Sequence, residues 1–165
     1  MKFLHFLRHA KSAWDQPGLT DRERGLKKRG KREAPLMGMA LAKHMTPMTI
    51  AVSPARRAQL TLAGLCTGWP ELEKVEHSTV EALYTFSSND LFKWIAEQKD
   101  TDALFMIGHN PGMTSMINTL SGQFVLGNLP TAGYVALKLE IDFWRDLQPG
   151  CAEVTFSLFP KQLRK

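Results

Sequence analysis

The sequence predicts an α/β fold: a mainly parallel central sheet, helices on both faces and an antiparallel edge. Three observations predict it. Short apolar runs at Lys2–Leu7, Met48–Val52 and Asp102–Ile107 each end in a polar turn, as strands buried on both faces do. Two of those turns lead into segments with apolar residues three or four apart, so strand alternates with helix, the pattern that builds parallel sheets. After Tyr134 the pattern becomes strict alternation, the mark of half-buried antiparallel strands.

The 165 residues, 44% of them hydrophobic, suit a single domain over 1–165 that buries roughly two-thirds of its unfolded surface. No apolar run approaches the roughly 20 residues of a membrane span, and Arg8-His9 interrupts the N-terminal run before a signal-like core develops. The sequence therefore reads as a soluble, cytoplasmic protein without a membrane partner. Cys66 and Cys151 lie far apart with no CxxC, which disfavours a disulfide framework and a zinc site and leaves them as small core hydrophobes.

Lys2–Leu7 is aromatic-rich and short, hence a strand, with Arg8 and His9 at its C-terminal end where open α/β sheets place ligands. Trp14-Asp15-Gln16-Pro17-Gly18 reads as a loop, because Pro-Gly fixes a turn. Spacing of Ala34, Met37, Leu41 and Met45 predicts a helix from about Leu26 to Met45, with a kink or a late start near Pro35, since an interior proline costs about 3 kcal/mol. Met48–Val52 is a strand, and Ser53-Pro54 suits an N-cap and first helical position. The helix that follows runs to Gly68 and carries Arg57 in its first turn. Val75–His77 is expected as a short strand. Ser87 and Asp90 approximate a capping box before a helix at Leu91–Ala96. Asp102–Ile107 is a third buried strand, and Gly108-His109-Asn110-Pro111-Gly112 turns into a helix with Met113, Met116, Ile117 and Leu120 inward. Tyr134–Ile141 and Val154–Leu158 form the antiparallel edge, the first with Tyr134, Ala136, Lys138 and Glu140 on its outer face.

Strand polarity gives these elements a chemical meaning. Parallel strands align their C-terminal ends, so Arg8, His9, Arg57 and His109 should converge. Cations gathered this way repel one another unless they surround an anion, and a phosphoryl dianion accepts bidentate guanidinium hydrogen bonds. The net charge of +5 also favours anionic partners. Much of it lies between Arg22 and Arg32, a solvated helix face or, alternatively, a docking surface. No aromatic residue interleaves that run, so base stacking has no platform and nucleic acid is not expected as a partner.

Missing parts exclude other phosphate chemistries. The chain has no GxxxxGK[ST], and neither cysteine has an arginine six residues later, where Leu72 and Ser157 stand instead. His5 and His9 on one strand lie about 13 Å apart, too far to share a metal ion. His5, His44 and His77 read as surface or satisfied core residues, and neither metal nor cofactor is required.

Arg8-His9-Ala10-Lys11-Ser12, an Arg-His-x-x-Ser arrangement, together with Ser53-Pro54-Ala55-Arg56-Arg57-Ala58 and Thr61, and with Gly108-His109-Asn110-Pro111-Gly112, resemble in order the motifs of the histidine phosphatase superfamily, which includes the cofactor-dependent phosphoglycerate mutases. Ala10-Lys11 after the histidine, and a chain too short for a large inserted cap, resemble its small phosphohistidine phosphatase branch more than the mutases. The resemblance implies a phosphoglycerate-mutase-like fold and a metal-independent phosphohydrolase. His9 would be the nucleophile, forming a phosphohistidine intermediate; Arg8, Arg57 and His109 would bind and stabilise the phosphoryl group; Ser12 would add a hydroxyl contact or serve as a local turn cap. Glu81, with Glu76 as fallback, is the implied general acid. Asp15 departs from the Asn frequent in mutase-like members and is expected to face away, toward Arg22 or Arg24. The implied substrate is a phosphorylated protein or a small phosphorylated metabolite. Mutase activity and a phosphate-binding module without turnover are the competing readings.

Overall fold

Six strands form one mixed sheet in the computed structural model, which describes residues 1–164. Their order is β3-β2-β4-β1-β5-β6, with β1 at Lys2–Arg8, β2 at Ile50–Val52, β3 at Ser78–Thr79, β4 at Ala103–Gly108, β5 at Tyr134–Leu139 and β6 at Ala152–Leu158. β1, β4, β2 and β3 are mutually parallel; β5 runs antiparallel to β1, and β6 antiparallel to β5. The predicted α/β architecture with an antiparallel edge is the one observed.

The helices are α1 (Lys28–Leu41), α2 (Arg56–Gly68), α3 (Pro70–Glu73), α4 (Ser88–Ala96) and α5 (Gly112–Ser121). Alternate strand residues feed two cores, as the pleat requires. Leu7, Ile50, Val52, Phe105 and Ile107 meet Met37, Leu41 and Leu65 of α1 and α2 on one face. Leu4, Phe6, Met106 and Leu137 meet Leu91, Ile95, Met116 and Ile117 of α4 and α5 on the other. Cys66 and Cys151 are free and half-buried, one at the margin of each core. No helix among the described residues is long and apolar enough to cross a membrane.

α1 begins two residues later than predicted, because Leu26 forms a bridge to Ser12 and the Lys27 N–H donates to the Lys11 carbonyl at 2.9 Å. It then runs through Pro35 without a break. Packing accounts for this: Met37 and Leu41 are fully buried, worth roughly 1.5–3 kcal/mol each, enough to outweigh the proline. The glycines that weaken α1 and α2 as isolated helices serve the contact between them. A Cβ on Gly38 would collide with Leu65 O, and one on Gly68 with Pro35 O. Gly30 approaches the loop after β1 in the same manner, a Cβ there falling against Lys11 O.

Two strand predictions need correction. The short strand lies at Ser78–Thr79 rather than Val75–His77, because the His77 ring is committed to the backbone: Nδ1 accepts from Ile50 N at 2.9 Å and Nε2 donates to Leu72 O at 2.7 Å. β5 is not half-exposed. Tyr134 and Ala136 are buried in the α1/α2 core, because β5 lies inside the sheet and β6 takes the edge. His5 stacks between Phe105 and Tyr134, and burial pushes its pKa down to about 4.

Candidate active site

β1 and β4 pair in register through Arg8 and Gly108, and β2 pairs with β4 through Val52 and Ile107. Arg8, His9, Ser53 and His109 therefore leave the same edge of the sheet. The His9 N–H donates to Gly108 O at 3.1 Å and the Ser53 N–H to Ile107 O at 3.0 Å, which fixes the three loop starts against one another. Thr61 ties the first loop to α2, its hydroxyl accepting from Ala10 N at 2.9 Å and donating to Arg57 O at 2.7 Å. A cleft of about 290 Å³ opens there, lined among others by Arg8, His9, Ser12, Arg24 and Arg57.

His9 is 7% exposed. Its Nδ1 lies 2.8 Å from Ala10 O. A carbonyl only accepts, so Nδ1 carries the proton and the lone pair of the neutral ring resides on Nε2. Burial pushes the His9 pKa down to about 3, against the pull of the Ala10 carbonyl and with help from His109, Arg57 and Arg8. The ring is thus neutral at physiological pH, the form a nucleophile requires.

The His109 ring lies beside it, centroids 5.2 Å apart, and is held by Ser53 Oγ 2.8 Å from its Nε2 and edge-on by Tyr84 and Phe86. Burial, and then the Arg57 charge, lower its pKa to about 4. Arg8 donates through Nη1 to Leu129 O at 3.0 Å. Among the described residues, Arg8 Nε and His109 Nδ1 are buried without a hydrogen-bond partner. Such atoms are uncommon in native interiors, and each is a polar group whose partner the side chains do not supply.

Arg57 is 2% exposed; its Nη1 donates to the Asp21 carbonyl at 2.7 Å and its Nη2 to Asp21 Oδ2 at 3.0 Å. The same Oδ2 accepts the Tyr84 hydroxyl at 2.6 Å, and Oδ1 accepts from Arg24 Nη1 at 2.9 Å. Partial burial pulls the Asp21 pKa up, but these donors outweigh it and hold the carboxyl at about 2. Ser12, 7% exposed, lies in the cleft with its oxygen accepting from Arg24 Nη2. Asp21, Arg24, Ser53 and Tyr84 carry no site assignment from sequence. The spacing of Asp21 and Arg24 by three residues was a local signal of pairing; Ser53 passed for a helix cap, yet α2 starts at Arg56 with Ala55 as its cap, and nothing local marks Tyr84.

The structure brings Arg8, His9, Ser12, Arg57 and His109 together and leaves Glu81 outside. Glu81 opens a short 3-10 turn at Glu81–Leu83, its carboxylate is 70% exposed, and Arg22 holds it through two hydrogen bonds of 2.6 and 2.9 Å. That pairing lowers its pKa, so in this arrangement it is an ionised surface carboxylate. Glu76 is exposed and does not line the cleft. Arg22 and Arg24 are thereby taken by Glu81 and Asp21, and Asp15, exposed, makes no ion pair with either. The basic run is likewise divided: Lys27, Lys28, Lys31 and Arg32 are exposed, whereas Arg29 pairs with the buried Glu33, which Arg164 also engages.

The histidine phosphatase superfamily (branch 1) profile matches residues 4–84. A protein of Mycobacterium tuberculosis without an assigned function is 30% identical over 157 residues, spanning 88% of this chain and 94% of its own. A structure from Agrobacterium tumefaciens, assigned as the phosphohistidine phosphatase SixA, superposes with a TM-score of 0.79 at 25% identity, over 96% of this chain and 98% of that one. A mycobacterial glucosyl-3-phosphoglycerate phosphatase shares the fold at 13% identity and a TM-score of 0.69, over 94% and 98% of the two chains. Sheet order, the motifs at the three strand ends and these similarities agree: the chain belongs to the histidine phosphatase superfamily and is an enzyme of the phosphatase class.

Proposed function

We propose that the chain is a metal-independent phosphohydrolase that works through a phosphohistidine on His9, with phosphohistidine in a protein partner as its substrate. One observation carries the reading: a buried His9 whose proton is fixed on Nδ1 by Ala10 O, so that Nε2 is a free lone pair beside Arg8, Arg57 and His109. In the first step Nε2 attacks phosphorus, the bond to the leaving group breaks, and the leaving group departs with that electron pair. In the second, water attacks the phosphorus, the Nε2–P bond breaks and inorganic phosphate leaves. Arg8 and Arg57 supply charge to the phosphoryl oxygens in both steps. Ser53 Oγ already accepts from Ala55 N at 3.2 Å; its hydroxyl, donating to His109 Nε2, would place the His109 proton on the unpartnered Nδ1 as one more phosphoryl donor.

The carboxylates favour a phosphohistidine substrate over an alkyl phosphate. Asp21 and Glu81 both have lowered pKa values, so neither holds a proton at neutral pH. An alkoxide leaving group needs a proton from the enzyme, whereas an imidazole protonated on its other nitrogen departs as a neutral ring. Similarity to the Agrobacterium protein supports the same substrate. The mycobacterial structure supports the alternative of a small phosphorylated metabolite, for which Glu81, released from Arg22, would be the donor.

The test measures inorganic phosphate released from a phosphohistidine peptide and from an alkyl phosphomonoester, with and without chelator. Higher kcat/KM on the peptide, unchanged by chelator, is expected, and His9→Ala should lose at least about 1000-fold together with any trapped label. Full activity in His9→Ala overturns the mechanism, and faster turnover of the alkyl ester makes the protein a metabolite phosphatase. Appearance of a phosphorylated isomer would indicate a mutase; binding without phosphate release would indicate a regulatory module.

A further inference from the structure

Within the basic run, Arg24 has surroundings unlike those of its neighbours. It is 8% exposed, lines the cleft, and its guanidinium carbon lies 3.2 Å from the centroid of the Trp14 ring. A guanidinium offers five N–H donors in a rigid fork. Three are committed: Nε to Ala13 O at 3.0 Å, Nη1 to Asp21 Oδ1 at 2.9 Å, and Nη2 to Ser12 Oγ. One N–H therefore remains on each of Nη1 and Nη2. Ser12 Oγ receives the arginine proton in a lone pair, so its own O–H must point elsewhere, and no acceptor among the described residues takes it. Three sides of Arg24 are thus fixed by the ring, the Asp21 carboxylate and the Ala13 carbonyl, which leaves its orientation little freedom.

We propose that Arg24 is a further phosphoryl-binding residue, and that it also presets the Ser12 hydroxyl as a donor to the same phosphoryl group. The proposal rests on the reading of the cleft as a phosphoryl site. It separates the two halves of the charged run: Arg24 belongs to the chemistry, and the exposed lysines of α1 do not. It also gives Ser12 a definite part, since a hydroxyl that already accepts from Arg24 is committed to donate to whatever enters the cleft. Trp14, although 72% exposed, acquires a purpose as the surface on which the guanidinium plane rests, an arrangement that suits arginine and not lysine.

Binding of inorganic phosphate, read by calorimetry and as competitive inhibition, tests the proposal. Arg24→Ala should weaken phosphate at least about tenfold and raise KM, since a hydrogen bond to a charged group and its partner are both lost. Ser12→Ala should weaken it several-fold, and Ser12→Ala combined with Arg24→Ala should fall short of the product of the single effects, because the two groups act as one unit. Arg24→Lys keeps the charge but not the fork and should lie between wild type and Arg24→Ala. Unchanged phosphate affinity in both Arg24→Lys and Ser12→Ala, whatever their melting temperatures, overturns the proposal even if Arg24→Ala fails to fold. Wild-type protein that binds no phosphate would overturn the phosphoryl reading itself; undiminished binding in the variants would overturn only the part assigned to Arg24.

Discussion

The two ends of the sheet make an instructive pair. At the N-terminal ends of β1 and β4 lies a cavity of about 460 Å³ lined by Lys2, Asp102, Asp142, Phe143 and Trp144 among others; at the C-terminal ends lies the cleft of about 290 Å³. The larger space holds Lys2 paired with an Asp102 that is 81% exposed. The smaller holds two buried imidazoles, with pKa values held to about 3 and 4, and an Arg57 that is 2% exposed. Both ends contain a short cation–carboxylate pair, but the pair at the cleft is the more buried of the two, Arg57 and Asp21 being 3% and 41% exposed against 12% and 81% for Lys2 and Asp102; withdrawal from water strengthens charge interactions and separates protonation states from their ordinary values. Volume is a poor guide to chemistry, and strand direction is a better one.

Arg57→Ala against Asp102→Asn is the sharpest way to break that contrast. The first should lower kcat/KM about 100-fold or more, as the loss of a phosphoryl-binding guanidinium does. The second should leave kcat/KM within about twofold and stability within about 0.5 kcal/mol, since exposed ion pairs contribute little. Comparable losses in the two variants would dissolve the distinction.

Acid should act on the imidazoles. His9 and His109 titrate near 6.5 in the unfolded chain but stay neutral in the fold down to about 3 and 4. Between those values the unfolded chain binds more protons, so stability is fully present above about pH 6.5 and is lost as pH falls toward 4. The urea midpoint should drop over that range, His5 contributing in the same direction, and His9→Asn should flatten the slope. A midpoint that is constant or rises on acidification would contradict the burial of these rings.

Glu81→Gln probes the boundary of the cleft and should have the smallest effect: within about threefold on a phosphohistidine peptide and more on an alkyl phosphate. Equal losses on both substrates would remove Glu81 from any acid role and leave its bond to Arg22 as its only function.

Arg8, His9, Arg57 and His109 were legible in the sequence because each sits a fixed step from the end of an apolar run, and parallel strands align those ends. Asp21 and Tyr84 were not, because the contact between them spans 63 residues and that from Arg57 to Asp21 spans 36; only folding brings those segments together. Arg24 has its partners within 12 residues, but it stands in a run of like charges that does not single it out. Glu81 was legible as a residue type at a plausible place, but its partner Arg22 sits in a single 3-10 turn, Asp21–Glu23, whose place over the cleft the sequence does not specify. The start of α1, which lies before Pro35 and two residues after Leu26, departs from expectation for a related reason. Local propensity weighed against a continuous helix, and contacts with α2 and with the loop after β1 decided the outcome. Tyr134 and Ala136 were misplaced because alternation records side-chain polarity, whereas burial depends on which strand takes the edge.

Gly30 shows how the cleft is gauged. It brings the main chain of α1 directly against the main chain of Lys11, next to Ser12 and two residues beyond His9, with no side chain between them. The spacing of helix and loop is therefore set by backbone thickness alone and has no rotamer to adjust. Gly30→Ala, a change that helix propensity favours by about 1 kcal/mol, would have to displace either α1 from α2 or the loop from the cleft. In this chain the pressure toward a better helix and the pressure toward a correctly placed nucleophile meet at one missing methyl group, in a residue that belongs to no motif.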